Sequence, residues 1–145
     1  MARDPDFDVV LRAWDAFSRV DLDGMVNELH PQVVAQPFGA ALEGRHYFGI
    51  EQVKLWWSEE ILATWEFFRV LVDGFQRVGN RLLVTGRWYA RGGESGIELD
   101  LPASWIIDVI DGKIAYWRTY TEPEQARHDI GLAADRTMSL AATPV

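Results

Sequence analysis

Four side chains of this chain are the main candidates to move a proton or to stabilise negative charge on oxygen. They are His46, Arg87, Tyr89 and Asp108. A histidine or an aspartate can accept a proton, whereas an arginine or a tyrosine can donate hydrogen bonds to an oxygen on which charge develops. The elements that carry these residues must decide which of them reach a common site.

Asp108 lies on a long predicted strand, and the apolar pattern of that strand indicates which way its side chain points. Every second residue is apolar, as is typical of a strand with one buried face: Ile97, Leu99, Leu101, Ala103, Trp105, Ile107 and Val109. Asp108 falls on the opposite face. We therefore expect it to be a charge on the outer face of the sheet or at an interface.

The turn after this strand sets its register, and the sequence allows two turns. A three-residue loop ending at Gly112 would place Trp105 across from Trp117. A two-residue Asp-Gly turn would instead pair Asp108 with Ala115, on the Trp117 face. The apolar alternation favours the three-residue loop.

Arg87 and Tyr89 share one face of another predicted strand, which follows a tight turn at Gly79-Asn80. With a two-residue turn, Arg87 lies opposite Val72 in partly apolar surroundings. A guanidinium there could bind a carboxylate, enolate or phenolate, or form a salt bridge with an acidic residue of the sheet surface. Both interpretations remain open. Tyr89 would either donate a hydrogen bond to a substrate oxygen or pack.

The histidines offer one candidate for a pocket. His46 precedes Tyr47 in the loop before the third predicted helix, where both could lie at a pocket mouth. His30 ends a predicted helix, and His128 lies on the predicted tail helix. No spacing of histidine with acidic residues resembles a metal site, and no serine lies in a nucleophile elbow. Neither a metal nor another cofactor is expected.

The composition limits the class of protein and of partner. The chain has 145 residues, 48% of them hydrophobic, which is enough for a single domain with one core. The net charge of −8 argues against a nucleic-acid partner. With no cysteine there is no disulfide or thiol chemistry. The sequence shows neither a membrane-spanning stretch nor a signal peptide, so we expect a cytoplasmic protein without a membrane partner.

The order of predicted elements is helices first and strands afterwards. Helices are predicted over 4–17, 21–29 and 50–57, with Asp4 before the first and His30-Pro31 ending the second. Strands are predicted over 33–38, 67–78, 81–91, 97–109 and 113–121, followed by a short helix that ends at Gly131-Leu132. This order predicts an α+β domain. Large rings fall on the faces expected to point inward: Trp14, Phe17, Phe38, Trp56, Trp57, Trp105 and Trp117.

Three short motifs near the end carry a family resemblance. They are Asp-Gly-Lys-Ile at 111–114, Trp-Arg-x-Tyr at 117–120 and the Glu-Pro start of the tail at 122–123. Their order resembles that of the SnoaL-like and ketosteroid-isomerase-like domains of the nuclear transport factor 2-like superfamily, over roughly 8–132. The resemblance implies N-terminal helices packed in a strongly curved antiparallel sheet, which forms a cone with an internal pocket.

The resemblance also implies how the chain divides and associates. One domain would span 1–132, and a tail over 133–145 would be flexible or would close over the pocket or a partner subunit. In the resembled family, homodimers form through the outer face of the sheet. That face would here carry Trp88, Tyr116, Arg118 and Tyr120.

The family's catalytic positions are occupied here by residues that cannot act as a base. The position of the isomerase base looks like Gln36, a neutral amide that could orient substrate or water. In the epoxide-hydrolase type, Arg87 keeps the arginine, while Thr119 stands where an aspartate belongs. The rings of Trp14, Phe38, Trp105 and Trp117, together with Tyr47 and Thr119, would shape a pocket for a small hydrophobic ligand.

Two functions follow from these observations, and the sequence leaves open whether the protein is an enzyme. One is an acid/base enzyme of the isomerase, cyclase, dehydratase or epoxide-hydrolase type, acting on a small hydrophobic oxygenated molecule. The other is a non-catalytic small-molecule-binding or assembly domain that has lost the catalytic carboxylates. The feature that distinguishes them is whether an ionisable side chain reaches the cavity.

Overall fold

A computed structural model describes residues 4–38 and 43–132, where helices pack on a six-stranded sheet, most of them on one face and the last on the other. The helices are α1 (Pro5–Ser18), α2 (Leu22–Val26), α3 (Gly49–Trp56), α4 (Leu62–Thr64) and α5 (Pro123–Ile130), with a π-helical turn over Trp57–Ile61 between α3 and α4. The strands are β1 (Leu29–Gln36), β2 (Tyr47–Phe48), β3 (Trp65–Val78), β4 (Arg81–Gly92), β5 (Glu98–Ile110) and β6 (Lys113–Tyr120). The predicted α+β class is confirmed. The predicted tail over 133–145 lies outside the described residues.

The sheet has the order β2-β1-β6-β5-β4-β3. Only β1 and β6 run parallel among the described strands, and the other neighbours are antiparallel. The face that carries Trp88, Trp105 and Trp117 packs against the helices and is called the inner face below. On the outer face, Ala126 and Ile130 of α5 cover a smaller apolar cluster that includes Tyr120. No helix in the described parts of the chain is long and apolar enough to cross a membrane.

Asp4 starts the first helix, as predicted, and ties it to the sheet. Its side chain accepts hydrogen bonds from the backbone N–H groups of Asp6 and Phe7, at 3.0 and 3.4 Å. The guanidinium of Arg77, on β3, donates to both oxygens of the same carboxylate, at 3.0 and 2.9 Å. The Arg77 hydrogen bond has the largest effect and lowers the pKa of Asp4. Burial acts in the opposite direction, and the two backbone bonds lower the pKa further.

We expect Asp4→Ala to lower the free energy of unfolding by about 1–2 kcal/mol at neutral pH, because the helix loses its cap and Arg77 its partner. Since the pKa of Asp4 is lowered on folding, this stability is present above the ordinary value of 3.8 and lost as the pH falls through the folded value. Urea unfolding of both proteins at pH 7 and near pH 3 measures the difference. An equal difference at the two pH values would contradict the role of the charge.

The second helix is shorter than predicted. It ends at Val26, and Leu29, which the apolar spacing placed on the helix, begins β1 instead. The cause is tertiary: Leu29 pairs with Ile114 of β6, and the carbonyl of Glu28 accepts a 2.8 Å hydrogen bond from the backbone N–H of Ile114. Pro31 fits inside β1 because the ladder to β6 is irregular between Leu29 and Val34, where its missing N–H is not needed.

The sheet bends where β3 and β4 cross. Regular pairing from the turn at Gly79-Asn80 breaks at Asp73, which has no partner between Val72 and Gly74. The predicted pairing of Arg87 with Val72 is therefore wrong, and Arg87 lies opposite Leu71. At the bend the backbones approach so closely that a Cβ on Gly86 would lie 1.7 Å from the carbonyl oxygen of Leu71. Only glycine fits there.

The closing hairpin combines a two-residue turn with a bulge. Asp111 and Gly112 have φ of 53° and 75°, as a type I′ turn requires. The pairing then shifts by one residue at Ala115, so Trp105 faces Thr119 rather than the predicted Trp117. The prediction of a three-residue loop is thus wrong. The bulge still keeps the alternating apolar residues on the inner face, which the sequence pattern required.

Candidate functional site

A cavity of about 230 Å³ lies between the helices and the inner face of the sheet. Aromatic residues make up much of its lining: Trp14, Phe17, Phe38, Trp56, Trp65, Trp88, Trp105 and Trp117. Smaller apolar residues complete the wall: Met25, Pro37, Ile61, Val70 and Ala103. The polar residues of the lining are Glu60, Thr64, Thr119 and Thr121. An apolar concave site with a few polar groups is the usual form of a small-molecule site.

The indole rings of the lining are held in place by one another. Trp14 packs edge-to-face on Trp105 and Trp117, with centroids 5.8 and 5.6 Å apart and interplanar angles of 72° and 78°. Trp56 makes a similar contact with Trp117 at 5.9 Å. Such contacts are favourable beyond the burial of the rings. The wall is therefore a rigid surface of rings meeting at steep angles.

Trp88 is one of these rings, although the sequence placed it on the outer face. It is only 9% exposed, and it contacts Phe17 and Phe68 inside the core. The placement was wrong because Trp88 shares the inner face with Val84 and Ala90, which are also buried. The indole N–H groups of Trp14 and Trp88 are both buried without a hydrogen-bond partner among the described residues.

Glu60 is the one ionisable side chain among the described residues that line the cavity. It lies on the π-helical turn, where the backbone N–H of Leu62 donates to the carbonyl of Trp57, five residues earlier. Trp57 and Ile61 of the same turn are buried and anchor it to the core. The side chain of Glu60 keeps 38% of its surface exposed, so it stands at the boundary between cavity and solvent.

Two residues of the preceding loop and strand hold the Glu60 carboxylate. The hydroxyl of Tyr47 donates a 2.7 Å hydrogen bond to Oε1 of Glu60 and accepts a 3.0 Å bond from Arg45. Arg45 also donates to the same Oε1 at 3.4 Å and to Glu43 at 2.8 Å. Burial raises the pKa of Tyr47, and its bond to Glu60 raises it further. Tyr47 therefore remains a donor to Glu60 throughout the neutral range.

The residues predicted to shape the pocket come together in the structure. Trp14, Phe38, Trp105, Trp117 and Thr119 all line the cavity. Tyr47 does not line it but reaches it through Glu60, as described above. For Trp105, Trp117 and Thr119 the inward alternation of β5 and β6 accounts for this agreement, since it survives the change of register.

The residues predicted to do chemistry on the sheet lie outside the cavity. Arg87 is half-exposed and donates a 2.8 Å hydrogen bond to Asp100. Tyr89 packs its ring on Phe67 at a centroid distance of 5.7 Å. Asp108 lies opposite Tyr116 on the outer face, as the alternation of its strand predicted, and Arg81 donates bonds of 2.8 and 3.2 Å to its carboxylate.

Gln36 and His46 are also away from the cavity. Gln36 is 6% exposed, but its amide donates to the carbonyl of Arg45 and its carbonyl accepts from the hydroxyl of Tyr116, both at 3.4 Å. The adjacent Ala35, which pairs with Trp117, takes the inner position instead. The ring of His46 is exposed and stacks beside Phe48 at 5.7 Å. No role inside the cavity follows from either position.

Sequence reasoning missed Glu60, although a signal was present. Glu60 follows Trp56 by four residues and Trp57 by three, so on a continuing helix it shares their face. An acid on an otherwise aromatic stripe is unusual, because burying a charge is costly without a function or a partner. The predicted helix ended at Trp57, and the π-helical turn that continues it was not foreseen.

A second, shallower cavity of about 190 Å³ adjoins the first and shares Phe38, Thr119 and Thr121 with it. Its further lining residues are Arg118, Tyr120, Glu122 and Gln125. Arg118 lies over the ring of Tyr120 and 3.6 Å from the carboxylate of Asp129. No cluster of potential metal ligands occurs within the described ranges 4–38 and 43–132.

Three solved structures share this architecture at low sequence identity. TerC, co-crystallised with polyporic acid, is 19% identical with a TM-score of 0.71, over 88% of this chain and 98% of TerC. An NTF2-like protein from Burkholderia pseudomallei is also 19% identical with a TM-score of 0.72, over 89% of this chain and 99% of its own. A Catenulispora acidiphila protein of ketosteroid-isomerase-like fold, in complex with trimethylamine, is 15% identical with a TM-score of 0.69, over 88% and 95% of the two chains.

These likenesses establish the fold, in which a curved, unclosed sheet wraps around helices. No curated protein sequence matches the chain significantly. A family assignment comes instead from the chain's own residues. Because residues 10–117, well over half of the sequence, match the SnoaL-like domain family, this protein belongs to that family.

Proposed function

We propose that the cavity binds a compact, hydrophobic, oxygenated molecule and that Glu60 acts as the proton acceptor in an acid/base reaction on it. The observation that carries this proposal is the position of Glu60. Among the described residues it is the one ionisable group that lines an otherwise aromatic and aliphatic cavity. A carboxylate placed against an apolar site is a common arrangement for a general base.

The walls set the size and the character of the molecule. A cavity of about 230 Å³ is smaller than the ~300–1,000 Å³ of pockets for drug-sized ligands, so the substrate must be compact. The indole faces favour flat or hydrophobic groups. The hydroxyls of Thr64, Thr119 and Thr121 are the groups of the lining that can donate hydrogen bonds to a substrate oxygen.

Tyr47 would position the base rather than react. Its hydroxyl donates a hydrogen bond to Oε1 of Glu60, and Arg45 donates to the same oxygen, so the carboxylate is held in place. The other oxygen, Oε2, receives no bond from Tyr47 or Arg45. In the proposed reaction a C–H bond of the substrate breaks, the proton passes to Glu60 and the electron pair stays on the substrate. Return of the proton to another carbon completes an isomerisation. Where the electron pair instead forms a double bond and breaks a neighbouring C–O bond, return of the proton to the departing oxygen completes a dehydration, with water as the product.

The structural relatives support occupancy of the cavity by small molecules. TerC was co-crystallised with polyporic acid, and the Catenulispora acidiphila protein was crystallised in complex with trimethylamine. Both share only the fold with this chain. They support binding of a small molecule and leave its identity to experiment.

We expect Glu60→Gln to abolish base catalysis on a generic probe such as nitrobenzisoxazole, whose ring opens to a coloured phenolate when a base removes its C–H proton. The amide keeps the shape of the side chain but cannot accept the proton, so the rate should fall by about 10²-fold or more. The initial rate of colour formation measures the effect. Glu59→Gln, at the exposed neighbouring acid, is the matched control and should react like the native protein.

A rate that is equal in native protein, Glu60→Gln and Glu59→Gln would contradict the proposal. If the probe still quenches tryptophan fluorescence in all three proteins, the second function applies: a binding domain without catalysis. One observation favours that alternative. Gln36, Arg87 and Asp108, three of the residues expected to do chemistry, all lie outside the cavity.

Association into a homodimer through the outer face stays a prediction. Of the four residues expected there, Trp88 lies in the core and Tyr120 is buried beneath α5. Tyr116 and Arg118 remain on that face. A dimer would therefore have to use a part of the sheet that α5 does not cover.

A further inference from the structure

We infer that the molecule bound in this cavity carries a positively charged, alkylated ammonium group. The inference rests on the proposed function, because it names the substrate class of the same cavity. It is drawn from the charges and the rings that the cavity presents.

Every strong electrostatic feature of the lining favours a cation. Six of the chain's seven tryptophans line the cavity, and the face of an indole ring is negative, so it attracts an ammonium more strongly than other aromatic rings do. Glu60 adds a full negative charge at one side. No lysine, arginine or histidine among the described residues contributes to the lining. A carboxylate or phosphate ligand would be repelled by Glu60 and would find no cationic partner among these lining residues.

The arrangement of the rings suits a group with several methyl substituents. Trp14 stands at 72° to Trp105 and at 78° to Trp117, so the three indoles form walls that face in different directions. A trimethylammonium or similar head can contact several walls at once, whereas a flat neutral ring can stack on one. The attraction is stronger where the rings shield the cation from part of the surrounding water.

The nearest arginines leave negative charge in excess beside the cavity. Arg45 lies outside it and is shared between the carboxylates of Glu43 and Glu60, so one guanidinium faces two acidic groups. Arg118 lies in the adjoining shallow cavity beside Asp129. Both guanidinium groups thus have acidic neighbours of their own.

A cation on the substrate also supplies what the proposed reaction lacks. When the C–H proton passes to Glu60, the electron pair left on the substrate is negative, and no cationic side chain among the described lining residues stabilises it. An ammonium group on the same molecule lies within a few bonds of that charge and stabilises it directly. The substrate itself would thus carry the positive charge that balances the negative charge formed in the reaction.

Three probes with one shape and three charges test the inference: phenyltrimethylammonium, tert-butylbenzene and benzenesulfonate. Each joins a phenyl ring to a tetrahedral head, and the heads are positive, neutral and negative. Titration monitored by tryptophan fluorescence and by ligand-observed NMR gives the three dissociation constants. We expect the cation to bind at least tenfold more tightly than the neutral probe, and the sulfonate not to bind.

Glu60→Gln and Glu59→Gln separate the contribution of the cavity's carboxylate from that of the overall negative charge. Glu60→Gln should reduce the advantage of the cation several-fold and leave binding of tert-butylbenzene unchanged. Glu59→Gln should leave both unchanged.

Equal or tighter binding of the neutral probe overturns the ammonium inference and leaves the proposed function standing, since the cavity would still bind hydrophobic molecules. Tight binding of the sulfonate also overturns it. If none of the probes binds, both the inference and the ligand-binding function of the cavity fail. A preference for the cation that persists in Glu60→Gln and disappears in Glu59→Gln would show binding at the surface and would also overturn the inference.

Discussion

Replacing Gly86 by alanine is expected to destabilise the fold by about 3 kcal/mol, a large part of the ~5–15 kcal/mol that holds a domain of this size together. The added Cβ would lie 1.7 Å from the carbonyl oxygen of Leu71, and a backbone atom cannot rotate away as a side chain can. The strands must therefore separate at the bend. Urea unfolding followed by tryptophan fluorescence measures the loss.

Gly74→Ala is the matched control, in the neighbouring strand of the same crossing. The added Cβ would meet Thr85 Oγ1 at 3.5 Å, an ordinary contact, so its stability should stay within about 1 kcal/mol of the native protein. If both variants unfold at the same urea concentration, the close approach at Gly86 does not exist as described.

The bend matters for the site as well as for stability. Gly86 pairs with Ala103 on its other side, and Ala103 lines the cavity, as do the nearby Val70 and Trp88. Opening the crossing would move these walls outward. A folded fraction of Gly86→Ala should accordingly bind hydrophobic probes more weakly than Gly74→Ala does.

Trp117→Ala should lower the free energy of unfolding by about 3–5 kcal/mol, the usual cost of removing a large buried ring. Trp117 is fully buried on the central strand β6, and its ring contacts both Trp14 and Trp56. Removing the ring leaves a void, and Trp14 and Trp56 lose their contacts with it. Binding of any ligand to the cavity should therefore be lost together with stability.

Trp65→Ala provides the comparison, because Trp65 also lines the cavity but is only partly buried and contacts Trp88 at 6.4 Å. We expect it to weaken binding while costing clearly less stability than Trp117→Ala. Equal losses of stability in the two variants, measured by urea unfolding, would show that Trp117 does not have the central packing role that its contacts indicate.

Local signals in the sequence were sufficient for much of the fold. Asp4 and Pro5 predict the start of α1, and Asp111-Gly112 predicts the closing hairpin, because each depends on the backbone preferences of neighbouring residues. The alternation along β5 predicts which residues face inward. Trp105 lines the cavity for this reason even though its cross-strand partner was predicted wrongly.

The two bulges could not be predicted from local sequence signals. Ala115 and Asp73 are left unpaired because each strand must keep its apolar residues on the inner face while it bends around the helices. That requirement involves strands distant in sequence, and no residue type at either position marks it. The predicted partner of Arg87 was wrong for the same reason.

By itself, then, the sequence determined the α+β class, the inward faces of the strands and the aromatic wall, since periodicity and turn chemistry are local properties. The tertiary structure alone determined which acidic residue lies against the aromatic lining of the cavity. For Asp108 the alternation along β5 already predicted the outer face, where the structure places it beside Arg81. Glu60 lines the cavity because a π-helical turn, held by the burial of Trp57 and Ile61, continues the helix past the point where its pattern ends.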